Sequence, residues 1–476
     1  MKTMLSSQRT THAIVLGVAC ALQAPAPALE RLEPAYGCYF GISVNSEHSV
    51  SDARERLGIT PAVYLRFFSF PLPSLDKVAA FLQEVANVGG IASLTLEPWN
   101  GLEPIDQNVC NQLAELCANY EKNSGIAGIF IRLGHEMNGN WYPWGQRPIL
   151  FKAKFRQLSE IIHARTEKTA MVWAPNYGIG YPFGTPVPAD NSADFQALDT
   201  NNDGLITDRD DMYEPYYPGD DVVDWVGMTI YHWGIDYPWL ENEMPPAASF
   251  ARSLFGKHQG NIPNFYLRYC AGAIRKKPMV VPETSAFYNT ERVGPAEIAI
   301  KRAWWQQVFN LGADKLSPDI PTTFPKLKCI GWFDEFKRES VAQNNLIDWR
   351  ISANEEIRTA FVGNLRTLRN GYPYFLVAAE ANCILRQQAA GEPIEFCLGE
   401  PGDPLKFTVQ NWNLVIGWLP KEGYRYQLLQ SVDMQQWHPV GETYWGVGRP
   451  LTASVDLQSS SSNPQAFFRL QAVQEE

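Results

Sequence analysis

Past residue 35, short β-rich apolar runs alternate with segments whose apolar residues recur every three or four positions. The runs at 36–44, 62–68, 91–96, 126–133, 170–173, 222–231, 279–281 and 329–333 read as eight strands. Helical spacing fits 74–88, 106–120, 148–165, 295–311 and 354–370. The clearest is 148–165, with Pro148 in its first turn and Phe151, Phe155, Leu158 and Ile162 on one face. This alternation predicts an α/β fold, a (β/α)8 barrel over 31–380, rather than an open doubly wound sheet. The open sheet would need a phosphate-cradling turn, and Gly178-Ile179-Gly180 with Gly184 has the wrong spacing. From 401 onward the pattern changes to short alternating runs separated by turn residues. They predict a small β-sandwich over 404–476, reached through a connector at 381–403.

Composition narrows what such a barrel meets. The 476 residues are 45% hydrophobic and 19% charged, a globular balance with ample chain for a core. A net charge of −11 argues against nucleic acid or anionic membrane as partner, because both reward clustered Lys and Arg. Aromatics reach 12%, with 15 Trp, which fits stacking on sugar faces as well as core filling. Lys2 and Arg9, an apolar run over 13–24 and Ala26-Pro27-Ala28 predict a signal peptide over 1–28 and a secreted protein. That run is too short for a membrane span. Seven of the eight Cys lie beyond it, so at least one is unpaired within the chain. Cys383 and Cys397 could close a short loop, whereas Cys110 and Cys117 lie about 10 Å apart along a helix, too far for a bridge. The absence of any Cys-x-x-Cys pair argues against structural zinc.

The candidate chemistry lies at strand ends. Alternation gives Phe130, Arg132, Gly134 and Glu136 one parity, which sets Glu136 at the carboxyl-terminal mouth of the fourth strand with Arg132 deeper. Trp141, Tyr142 and Trp144 follow as walls for that mouth. The seventh strand ends in Pro282-Glu283-Thr284 and brings a second carboxylate to the same end of the barrel. Two such Glu, one protonated and one ionised, are what glycoside hydrolysis requires. A carboxyl separation of about 5–5.5 Å retains configuration and about 6.5–9.5 Å inverts it. A zinc-protease reading of His135-Glu136 fails because Gly139 stands where the second His belongs.

Over roughly 36–374 the chain resembles glycoside hydrolase family 26. The resemblance is strongest in His135-Glu136-Met137-Asn138-Gly139 running on to Trp141-Tyr142-Pro143-Trp144-Gly145-Gln146. It implies a retaining endo-β-glycanase, with Glu136 as acid/base and Glu283 as nucleophile. It further implies that Arg132, His135 and Trp141 contact substrate, that Tyr231 orients Glu283, and that Trp332 lies as a platform under the cleaved sugar. The family acts mostly on β-mannan, with branches for mixed-linkage β-glucan and β-1,3-xylan. Two positions depart from the mannanase pattern: Glu97 stands in place of a His after the third strand, and Thr229 in place of an Asp. Glu97-Pro98-Trp99 looks more like the glucanase branch, and mannose and glucose differ at the 2-hydroxyl, where hydrogen bonds discriminate.

Between the fifth and sixth strands, 199–210 matches a calcium loop. Asp199, Asn201, Asp203, Thr207 and Asp210 offer side-chain oxygens, Leu205 its carbonyl, and Gly204 allows the turn. The expected cofactor is therefore one structural Ca2+, stapling a mouth loop. The expected partner is a polysaccharide, met by a monomer. A catalytically silent polysaccharide-binding protein is the rival reading, distinguished by whether Glu283 is needed for cleavage. Trp412, Trp418, Trp437 and Trp445 in the last module either stack on glycan or fill a small core.

Overall fold

The computed structural model describes residues 29–45, 48–256, 261–309, 320–366 and 374–390, together with isolated strands in the remainder. The chain divides into two compact units, one of Leu29–Thr367 with Pro373–Leu385, the other of Met1–Ala28, Leu368–Tyr372 and Arg386–Glu476.

The first unit is the closed barrel expected from the alternating pattern. Its strands are β1 (Cys38–Ser43), β2 (Val63–Ser69), β3 (Ile91–Glu97), β4 (Gly128–Leu133), β5 (Thr169–Trp173), β6 (Trp225–Gly227), β7 (Met279–Thr284) and β8 (Leu327–Trp332). All neighbours pair in parallel, and β1 closes on β8 from Tyr39 opposite Cys329 to Ile42 opposite Trp332. Closure leaves no free edge in the ring. A short added strand, Phe375–Leu376, lies parallel to β1.

The connecting helices begin where local chemistry starts them. Helix α1 (Val50–Leu57) opens on a reciprocal Ser49 and Asp52 capping box and closes on Gly58 at φ +67°. Helix α2 spans Asp76–Asn87, and α3 (Gln107–Asn123) is capped by the Asp106 side chain. Helix α4 (Pro148–Arg165) has the expected bounds and buries Phe151, Phe155, Leu158 and Ile162. Full burial of each such side chain stabilises the fold by about 1.5–3 kcal/mol. Helices α5 (Glu297–Phe309) and α6 (Glu355–Leu365) complete the layer against β7 and β8.

Two differences from the sequence pattern bear on the mouth. The sixth apolar run, 222–231, forms a ladder only over Trp225–Gly227; beyond it the chain makes single bridges, Thr229 to Asn176 and His232 to Ala286. The seventh strand carries an irregularity. Val281 lies opposite Ile330 but Thr284 opposite Trp332, so one extra residue is inserted beside Pro282 and Glu283. Gly331 makes this possible, since a Cβ there would sit 2.3 Å from the Pro282 carbonyl oxygen. Inside the ring, Val63, Leu65, Phe130, Val172, Val280 and Cys329 fill the barrel beneath Arg132.

In the second unit, Lys406–Gln410, Asn413–Trp418 and Leu451–Asp456 form one antiparallel sheet. Tyr424–Ser431, His438–Trp445 and Gln465–Gln474 form another, with Leu16–Ala19 as its edge strand. Within the stretch read as a connector, helix Ala378–Ala390 continues to residue 390. Residues 391–400, Trp412 and Trp437 lie outside the described residues, as do the side chains of Trp418 and Trp445.

Candidate active site

Glu136 lies just beyond β4 with φ +53°, as does Gly134. A left-handed conformation costs a non-glycine residue about 1–2 kcal/mol and persists only where its surroundings hold it. Here they do. The Gly134 N–H donates to Leu96 O at 2.8 Å and the Glu136 N–H to Ala174 O at 3.0 Å, tying the turn to both neighbouring strands. Asn138, fully buried, donates to Asn176 O at 2.9 Å and accepts from the Asn176 N–H at 2.8 Å. The Glu136 carboxylate is gripped at both oxygens: the Trp141 indole donates to Oε2 at 3.1 Å, and the Thr229 hydroxyl lies 2.5 Å from Oε1. Thr229 is also 3.0 Å from Asn176 Oδ1. Its single proton serves one acceptor at a time, so the hydroxyl can accept from a protonated Glu136 or donate to an ionised one.

Glu283 has different company. Regular alternation from Val280 and Pro282, which line the barrel interior, would point it outward. The inserted residue turns it inward instead, where it pairs with the buried Arg132 guanidinium. The Tyr231 hydroxyl donates to its other oxygen at 2.7 Å. Arg132 is held in turn by Thr95 Oγ1, which accepts from Nε at 3.2 Å and Nη2 at 3.0 Å. Thr229 and Tyr231 stand two residues apart on one segment, and each holds one of the two carboxylates.

Those environments drive the two acids apart. Burial, reinforced by the Glu283 charge, raises Glu136 to about 7, against the opposing bonds from Thr229 and Trp141. Burial would raise Glu283 as well, but the Arg132 charge and the Tyr231 and Arg132 hydrogen bonds outweigh it and hold it below the usual carboxylate range. At neutral pH Glu283 is therefore ionised while Glu136 retains a substantial protonated fraction. His135 is pushed down to about 3, by burial and then by Arg132, so it is neutral. Its Nε2 shares a 3.1 Å hydrogen bond with the Tyr142 hydroxyl. Its Nδ1 and Arg132 Nη1 are buried polar atoms without a partner among the described residues. The Tyr142 and Trp144 rings stack beside His135, 4.3 Å apart and nearly parallel.

Glu97, partly buried at the end of β3, accepts from the Trp99 indole at 3.2 Å, and burial shifts its carboxyl upward. Trp332 departs from the expected platform. It is 1% exposed and packs outward on Phe309 and Phe361 of α5 and α6. Inward parity on β8 runs through Cys329 and Gly331, which makes Phe333 the ring at the mouth, 5.8 Å from Tyr231 and 6.4 Å from Phe67. The same alternation could have been read in the sequence. Thr229 stood out there only as a departure, and Asn176 not at all, because their partners lie on other strands.

The loop 199–210 turns its carboxylates onto its own backbone. Asp199 accepts from the N–H groups of Asp203 (3.0 Å) and Gly204 (2.9 Å), and Asp210 from those of Thr200 and Thr207 (both 2.8 Å). Asp203 accepts from the Leu205 N–H, Asn201 from the Asp203 N–H, and the Thr207 hydroxyl from the Arg209 N–H. Among the described residues, no three His, Cys, Asp or Glu side chains come together as a group that could hold a metal ion. Cys383 is disulfide-bonded, and residue 397 lies outside the described residues. Cys38, Cys110, Cys117, Cys270 and Cys329 are free and buried.

No family model matches the chain. The chain resembles glycoside hydrolase family 26. A curated relative, Endoglucanase H of Acetivibrio thermocellus, is 25% identical over 325 residues, 66% of this chain but only 29% of that protein. Among solved structures, the Cellulomonas fimi endo-β-1,4-mannanase double mutant is 14% identical with a TM-score of 0.44, over 92% of this chain and 89% of that one. The protein GH26C of a Muricauda species is 13% identical with a TM-score of 0.45, over 72% of this chain and 88% of that one. Among the described residues no helix is long and apolar enough to cross a membrane.

Proposed function

We propose that this protein is a secreted, retaining endo-β-glycanase that hydrolyses β-1,4 linkages of β-mannan or mixed-linkage β-glucan. The observation that carries the reading is the pair of carboxyls at one barrel mouth, one poised to keep a proton and the other ionised against Arg132. In the first step Glu136 gives its proton to the glycosidic oxygen while Glu283 attacks the anomeric carbon, forming a glycosyl ester and releasing the leaving sugar. In the second, Glu136 takes a proton from water, which attacks the same carbon and frees Glu283. The Thr229 hydroxyl suits both steps, because it can bond either protonation state of Glu136.

Glu97, with its raised carboxyl, and the neutral Thr229 support a glucan over a mannan, as does the name of the curated relative. The basic start, apolar run and Ala26-Pro27-Ala28 support export with removal of 1–28, which would also remove the edge strand Leu16–Ala19. The disulfide at Cys383 accords with an oxidising compartment. Calcium at 199–210 would draw on Asp199, Asp203 and Asp210, completed by Asn201, Thr207 and the Leu205 carbonyl, and would stiffen the loop without entering the reaction. A panel of galactomannan, glucomannan, mixed-linkage β-glucan and β-1,3-xylan, with product anomers followed by NMR, tests the whole reading. Initial release of the β-anomer from one of the first three supports it. Initial α-anomer, or no cleavage of any, overturns it.

A further inference from the structure

The loop after β6 carries aromatic rings for which the hydrolytic chemistry has no use. Its base is firmly held. Asn242, 4% exposed, donates to the carbonyls of Asn289 and Arg292 and accepts from the Asn289 N–H at 2.7 Å, while the Asn289 side chain donates to Leu240 O. The Glu243 carboxylate accepts from the Ile235 N–H at 2.6 Å, and the Glu243 carbonyl meets His232 Nε2 at 2.8 Å. From this base a path of rings leads away from Glu283. Tyr231, which bonds that carboxylate, lies 5.8 Å from Trp233; Trp233 lies 5.2 Å from Trp239; and Trp239 lies 5.1 Å from Tyr237. Trp233 is braced against Trp349 at 4.8 Å, but at the tip Tyr237 is 72% exposed.

A loop needed only for packing would turn its rings inward. A half-buried Trp239 beside an exposed Tyr237 on a fixed base suits a ligand with an apolar face and polar edges, and a pyranose has both. Charge narrows the class further. Residues 232–251 contain Asp236, Glu241 and Glu243 but no Lys or Arg, which favours a neutral sugar over a uronic or sulfated one.

We propose that Trp239 and Tyr237 form a distal subsite for neutral sugar units of the chain whose cleaved bond lies between Glu136 and Glu283. The assignment rests on the hydrolase reading for what occupies the mouth. Trp239→Ala, Tyr237→Ala and Trp239→Phe variants, compared with wild type on β-1,4-glucan, β-1,4-mannan and mixed-linkage oligosaccharides from dimer to hexamer, test it. Each alanine variant should lose roughly tenfold in kcat/KM on the longest oligosaccharide cut and much less on the shortest, with Trp239→Phe recovering most of the loss. Equal loss at every length, or none, overturns the subsite and leaves the hydrolase reading standing. If wild type cuts none of them, calorimetric titration of the same oligosaccharides decides. Affinity that rises with length in wild type and not in the alanine variants supports the subsite, and any other pattern overturns it.

Discussion

The ends of β4 and β7 carry the same residue type at the same mouth, yet they are built in opposite ways. Beyond β4 the chain leaves the sheet through two left-handed residues, and Glu136 meets only neutral donors, Thr229 and Trp141. On β7 an inserted residue re-aims Glu283 within the sheet, where a buried guanidinium and a phenol hold it. Burial and the Glu283 charge raise Glu136 against its hydrogen bonds and the Arg132 charge, while at Glu283 that cation reverses the effect of burial. The protonation state of each carboxyl here is set by the groups that face it across the mouth rather than by the acid itself.

The largest test of that contrast is Glu283→Ala, which should lower kcat by on the order of 10⁴-fold or more while the fold, checked by circular dichroism, survives. Activity near wild type would remove Glu283 from the chemistry. Gly331→Ala comes next. Its Cβ would press on the Pro282 carbonyl, and moving Glu283 by about 1 Å should cost on the order of 10²-fold in kcat. An unchanged kcat would show that the inserted residue does not aim the carboxylate.

Linkage gives a smaller effect of opposite sign at the other site. A carboxyl raised in the folded state binds more protons there than in the unfolded chain, so stability falls as pH rises from the ordinary carboxylate range to about 7. Glu136→Gln should therefore abolish most hydrolysis yet be more stable to unfolding than wild type at pH above about 7, by on the order of 1–3 kcal/mol. Denaturant unfolding at several pH values reads this, and a variant less stable than wild type throughout would contradict it. Glu283 contributes the reverse, stability present above the usual carboxylate range and lost as pH falls through its lowered pKa. The smallest effect is expected at Thr229→Val. Loss of the hydroxyl should move the alkaline limb of kcat/KM upward by roughly half to one pH unit, with Thr229→Ser restoring it.

The sequence carried the eight strands and five of the longer helices through local marks such as apolar runs, Pro148 and the Asp106 cap, but not the shorter helices Val50–Leu57, Ala193–Leu198, Ser249–Phe255 and Phe265–Tyr269. It also carried both carboxylates, since each ends an apolar run. What it hid depends on residues distant in the chain. The insertion beside Glu283 is visible only in its register against β8, and Thr229 becomes a partner of Glu136 only across 93 positions. Trp332 shows the cost of reading position without parity, because one step along β8 exchanges the barrel mouth for the helix layer.

The central claim, that the two carboxyls hold opposite protonation states, is open to carboxyl ¹³C NMR titration of glutamate-labelled protein. One signal should titrate near 7, vanish in Glu136→Gln, and shift toward the ordinary carboxylate range in Glu283→Gln, where the neighbouring charge is gone. Two carboxyls that both titrate in the ordinary range, or a near-neutral signal that vanishes with Glu283 instead, would contradict it.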